Sequence, residues 1–215
     1  MTFTLKESIH KKVPLNLSRA LKNYLLILRH PQFVGALMIM GIGFMILVLF
    51  GMVGPFIIQL TYHLSAVTYG YLALLIGIAY FSGSIVSRLC AHFSGHTILQ
   101  NSFLAMILFS LVFWILSLVL HQVWIYVAYV FLINFLMGLV YPACMTVTMS
   151  LFQDISGTAS AIMGAATMCI TGILSVIIGH IHLNSVPAVI VVYLVLAIFN
   201  FLLYWGLLKS YFVTR

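Results

Sequence analysis

An all-α integral membrane protein with six transmembrane helices is the fold this sequence predicts, and three observations predict it. The 215 residues are 64% hydrophobic and only 5% charged, whereas a soluble domain carries roughly 25% charged residues. Apolar runs longer than about 18 residues recur, each long enough to cross a hydrocarbon layer of roughly 30 Å as a helix. Backbone groups inside hydrocarbon find no water, so each run must be helical or belong to a closed barrel. Barrel strands alternate in polarity over about 10 residues, and these runs do not.

The chain divides into residues 1–31, a basic cytoplasmic segment with an interfacial amphipathic helix, and residues 32–215, the six-helix bundle. Six of the nine Lys and Arg precede the first span: Lys6, Lys11, Lys12, Arg19, Lys22 and Arg29. Leu17, Leu21, Tyr24, Leu25 and Leu28 recur at helical spacing while Arg19, Lys22 and Arg29 lie elsewhere on the wheel, so Ser18 to Arg29 reads as a helix lying in a membrane interface. Pro31 is expected to end it. The run from Phe33 is too long for the core of a cleaved signal peptide, so it is expected to remain in the mature protein.

The spans are placed at Phe33–Leu60, Thr68–Leu89, Thr97–Leu120, Val123–Met149, Gly157–Leu183 and Pro187–Leu208. The N-terminal segment, Arg88 and the tail with Lys209 and Arg215 alternate with connections around His63, Gln122 and Asn184 that carry no basic residue. Basic residues favour the cytoplasmic side, so both termini are expected in the cytoplasm of a cell with an inner membrane. The Gln153–Asp154 loop follows by alternation alone.

Glycine and proline stand late in the first and fourth spans: Gly51, Gly54 and Pro55 in one, Gly138 and Pro142 in the other. Two readings stay open. These are broken helices of two three-helix units of inverted topology, around which transporters place binding sites, or they are ordinary kinks, since proline is commoner in membrane helices. Small residues also form stripes, which let helix backbones approach closely. The second span aligns Gly70, Ala73, Gly77 and Ser84. The fifth aligns Gly157, Ala161, Ala165 and Cys169, and beside them Ser160, Gly164, Met168 and Gly172, as if it were packed between neighbours.

At Ser156-Gly157-Thr158-Ala159-Ser160-Ala161-Ile162-Met163-Gly164 the sequence resembles the Gly-Thr-Ala-Ser-Ala segment of the major facilitator superfamily, most like its bicyclomycin-resistance branch of drug:proton antiporters at the start of the eleventh helix. Leu5-Lys6-Glu7-Ser8 resembles the end of the family's central loop. Arg29-His30-Pro31-Gln32-Phe33 resembles the approach to the seventh helix, and Gly138-Leu139-Val140-Tyr141-Pro142 the tenth. The resemblance implies the second half of a fold that normally has twelve helices. A missing N-terminal six-helix half or a second copy is then the expected protein partner. Between the second and third spans, Arg88-Leu89-Cys90-Ala91-His92-Phe93-Ser94-Gly95-His96 keeps one arginine of the family's basic signature, so a conformational lock there is not implied.

Other chemistries lack their residues. The only acids, Glu7 and Asp154, lie outside the spans, so no intramembrane carboxylate is available as a proton relay. Asp154 suits the positive end of the fifth span, with Ser156 as its N-cap. Cys90, His92 and His96 have ligand-capable side chains, but no neighbouring ligand completes a four-coordinate metal site. Cys144 and Cys169 pair with nothing at CxxC spacing. His180 and His182 fall at the outer end of the fifth span. No glycine has a serine two positions later and no lysine follows a glycine, which removes the nucleophile-elbow and P-loop patterns. The net charge of +7 is concentrated before the first span rather than on a nucleic-acid platform. No cofactor and no enzymatic activity are expected.

The expected function is transport of small, mostly hydrophobic compounds, of the multidrug-efflux type. The alternative is a non-transporting fragment or an accessory subunit packing on another transporter. By the resemblance, the first, second, fourth and fifth spans face the central cavity. Substrate-binding candidates on them are Phe44, Met45, Gln59, Tyr80, Asn134, Tyr141, Thr146 and Met163, because Met and aromatic faces adapt to varied apolar molecules and a few amides and hydroxyls orient them.

Overall fold

The computed structural model of the chain describes residues 17–90, 94–120, 122–181, 183 and 185–213. Among these residues the secondary structure is helical throughout, without a strand. A short helix, α1 (Leu17–Leu28), precedes six long ones: α2 (Pro31–Pro55), α3 (Ala66–Leu89), α4 (Gly95–Val119), α5 (Val123–Leu151), α6 (Ser156–Gly179) and α7 (Val186–Leu203). A terminal turn, α8 (Lys209–Val213), closes the described chain. All six long helices have the length and composition to cross a membrane. Glu7, His92, His121, His182, Asn184 and Arg215 lie outside the described residues.

Local chemistry explains most helix ends. Pro31 does not merely end α1. It stands at the first turn of α2, where its missing N–H costs nothing, and His30 is extended at ψ 111°. Ser65 and Ser94 cap α3 and α4 in the same way, each Oγ accepting the backbone N–H three residues on, from Thr68 at 3.1 Å and Thr97 at 3.3 Å. Ser156 is not the expected cap: it is the first residue of α6, and Ile155 before it makes no side-chain cap bond. The fifth span ends at Gly179 rather than Leu183, where His180 folds its Nδ1 onto the Val176 carbonyl oxygen at 2.7 Å.

The helices interlock by a swap. α2 packs on α6, and α5 packs on α3; α4 joins α5, and α7 joins α2. Exchanging α2 with α5, α3 with α6 and α4 with α7 maps every one of these pairings onto another. The two three-helix units therefore share one packing plan, and an odd number of crossings per unit gives them opposite orientation. In α2 and α5, 72% and 61% of the apolar stretch is buried, against 28–39% in the other four. These two helices form the centre.

Small residues decide how closely helices approach. α3 and α5 cross at Gly83 and Gly138: a Cβ built on Gly83 would lie 3.2 Å from the Gly138 Cα and overlap the Phe135 carbonyl oxygen. No side chain fits between these backbones. Ser87 adds a cross-helix bond, its Oγ donating to the Leu139 carbonyl oxygen at 2.9 Å. Where α2 meets α6, Gly41 faces Ile170 and its carbonyl oxygen accepts from Thr171 Oγ1 at 2.9 Å.

The expected stripes are largely open, although Ala73 and Ser84 of α3 are half-buried. Gly70 and Gly77 of α3 are exposed with nothing within 4 Å, and the buried face is Leu72, Ile76, Ala79, Gly83 and Ser87. On α6, Gly157, Ser160, Ala161, Gly164 and Gly172 are all exposed, while Ala159, Ile162, Met163, Thr167, Thr171 and Ile178 face the bundle. Among the described residues α6 packs through one face, on α1, α2 and α5, and its row of small residues is left open. The two glycine–proline segments differ. After Pro55, α2 does change, continuing as a wider π-helical turn over Phe56–Thr61, consistent with the donor that proline removes. At Pro142, α5 runs on as α-helix to Leu151, Gly138 is a contact rather than a break, and Gly51 is exposed with free space around it.

Candidate functional site

The candidate residues fall into two depths. Met45, Asn134 and Met163 are buried inside the bundle, whereas Phe44, Gln59, Tyr80 and Tyr141 are half-buried and Thr146 is exposed. Tyr80 and Tyr141 meet edge to face across α3 and α5, with ring centroids 6.4 Å apart. Met45 and Met163 act as acceptors in the packing: Ser175 Oγ donates to the Met45 sulfur at 3.3 Å and Thr148 Oγ1 to the Met163 sulfur at 2.9 Å. These two methionines therefore join α2 to α6 and α5 to α6 rather than facing open space. The Thr146 hydroxyl turns back onto the Pro142 carbonyl oxygen at 2.9 Å.

Asn134 satisfies only half of its amide. Its Nδ2 donates to the Val130 carbonyl oxygen one turn back at 2.8 Å, while its Oδ1 has no partner. The bond lies within one helix and joins α5 to no neighbour. Asn200 on α7 is buried with neither amide atom partnered. A buried polar atom left without a partner is rare and costs about 1–3 kcal/mol.

Two hollows open at opposite ends. One, of about 620 Å³, lies where α5 runs into α6 and is lined by Pro142, Met145, Thr146, Met149, Ser150, Gln153 and Ser156. The other, of about 460 Å³, lies between the far ends of α2 and α6 and is lined by apolar residues including Met52, Phe56, Leu60 and Ile178. Helix α6 borders both. Its exposed face between them carries the small residues Gly157, Ser160, Ala161, Gly164 and Gly172, with Met168 and Cys169 alongside.

Of the substrate-binding candidates, Thr146 lines the larger of these two hollows, together with Pro142 from the proline pair. The other candidates line neither of the two. Sequence reasoning missed Met145, Met149, Ser150 and Gln153; the signal was present in Met145-Thr146-Val147-Thr148-Met149-Ser150, a run mixing thioethers and hydroxyls at the end of a span. The His96 ring hydrogen-bonds and stacks on Tyr204, His30 packs against the Phe152 ring, and His63 is exposed with φ 52°. Asp154 is exposed in the short turn Gln153–Ile155 ahead of α6.

A sequence profile described as Major Facilitator Superfamily matches residues 4–176, from before α1 to near the end of α6. No curated protein matches the chain.

Proposed function

The chain belongs to the Major Facilitator Superfamily of membrane transporters, and on that premise we propose that its six helices act as one half, the C-terminal one, of a facilitator-type transporter for small, mostly hydrophobic compounds. One observation carries this reading. Over its first four turns α6 turns small residues outward, with Ile173, Val176 and Ile177 exposed beyond them, and it runs between hollows at the two ends of the bundle. A lipid-facing helix needs no such face, whereas a helix beside a second bundle and a path for substrate does. Pairing with an N-terminal six-helix half, or with a second copy, would enclose the path. Thioethers and hydroxyls around the near hollow fit an apolar, weakly polar substrate.

Of the two proline-bearing helices, α2 departs from α-helix after its proline and α5 does not, so a pair of broken helices does not carry this reading. The Tyr80–Tyr141 edge and the free Asn134 acceptor remain the polar groups nearest such a site on α3 and α5.

The native cysteines test the proposal. Cys169 is exposed on the smooth face of α6 and Cys144 is buried. With Cys90 changed to Ser, a water-soluble maleimide should label Cys169 in native membranes and leave Cys144 untouched, and an apolar transported compound should slow the labelling. If only a lipid-soluble maleimide reaches Cys169, the face looks into acyl chains and the reading fails. An accessory, non-transporting role predicts labelling that responds to a partner protein and to no small compound.

A further inference from the structure

We infer that α1 is a three-sided helix that seats on the membrane surface by binding anionic lipid headgroups. Its position is set by the chain. α2 begins at Pro31, two residues after the last turn of α1, so the end of α1 is held at the polar boundary of the bilayer. The extended residue His30 separates the two helices, and α1 packs against both α2 and α6.

Burial divides α1 into sectors, taking about 100° per residue for an α-helix. Ile27 is fully buried and Asn23 half-buried, which defines the protein side. Tyr24, Leu25 and Leu28 cluster within roughly 100° of one another and are 39%, 49% and 47% exposed, although none belongs in water. Lys22 and Arg29 share a third sector beside the apolar one, both exposed; Leu26, also exposed, stands outside the apolar sector. Among the described residues no ion pair engages Lys22 or Arg29, and no acidic residue occurs between positions 17 and 31. An apolar face rimmed by unpaired cations, continuous with the surface of a span, complements acyl chains beneath anionic headgroups.

The seat also touches the connection from α5 to α6. Next to α1, His30 and Phe33 both meet the edge of Phe152, at 5.5 and 5.6 Å between ring centroids. Phe152 lies in the connection from α5 to α6, beside the near hollow. Seating of α1 is thereby tied to the position of that connection.

The test places a nitroxide on α1 in the full chain. Leu25→Cys, in a background of Cys90→Ser, Cys144→Ala and Cys169→Ser, is labelled and reconstituted in nanodiscs of phosphatidylcholine alone or with phosphatidylglycerol. Oxygen and a water-soluble nickel chelate then report immersion. The label should be immersed in the anionic discs and markedly less so in the neutral ones. Lys22→Gln with Arg29→Gln should lower the immersed fraction in anionic discs, by about five-fold in the immersed-to-exposed ratio per basic residue. Lys22→Arg should leave it unchanged, which separates charge from a folding defect. Equal immersion in both lipids would show that apolar contact alone seats the helix, and exposure in both would show that it does not seat; either result overturns the inference.

Discussion

The crossing of α3 and α5 offers the sharpest test of the packing. Replacing Gly83 by Ala puts a methyl against the Phe135 carbonyl and 3.2 Å from the Gly138 Cα. Both obstacles are backbone and cannot swing aside, so the helices must part by about 1 Å to restore ordinary contact distances. Overpacking of this kind costs about 1–3 kcal/mol. The same separation stretches the 2.9 Å Ser87–Leu139 bond beyond hydrogen-bonding range, which adds about 0.6–1.7 kcal/mol. Gly83→Ala should therefore destabilise the bundle by about 2–5 kcal/mol. Gly164→Ala, where nothing lies within 4 Å, should change its stability by less than about 0.5 kcal/mol. Unfolding in mixed micelles of increasing SDS fraction, followed by tryptophan fluorescence, measures both. Equal midpoints for Gly83→Ala and the unsubstituted protein, or a larger loss for Gly164→Ala, would refute the assignment of contact and open faces.

Further outcomes follow from the same geometry. Asn134→Leu should change stability by no more than about 1 kcal/mol, because the bond it removes lies within one helix; if the free Oδ1 serves substrate, transport falls while the unfolding midpoint stays. A water-soluble maleimide should label Cys90 in inside-out vesicles, and Gln122→Cys in right-side-out ones, because basic residues flank only the first of these connections; reversed labelling would invert the topology. The purified chain in liposomes without a partner half should show no drug transport driven by a pH gradient, since its acids, Glu7 and Asp154, stand outside the spans. Uptake that follows the gradient and collapses with an uncoupler would contradict this and turn attention to His63, His121, His180 and His182.

What the sequence determined by itself was each helix as a separate object. The span from Val123 was legible to within two residues at its end, and α1 to within one, because hydrocarbon forces every backbone group to be satisfied inside its own segment, and that is a local condition. Proline and serine at the ends act locally too, which is why Pro31 and Pro55 marked real changes in the chain. The facing of the helices was not legible. In water an apolar stripe points inward, but in a bilayer lipid is as apolar as the core, so Leu72 and Ile76 on the buried face of α3 look no different from Leu74 and Leu75 on its exposed face. Small residues were ambiguous for the same reason: Gly83 lets a backbone approach within the chain, while Gly77 and Gly164 leave an open face, and nothing in their spacing separates the two. Only the tertiary structure decided that, because the close approach at Gly83 exists only when Gly138, 55 positions further on, arrives opposite it.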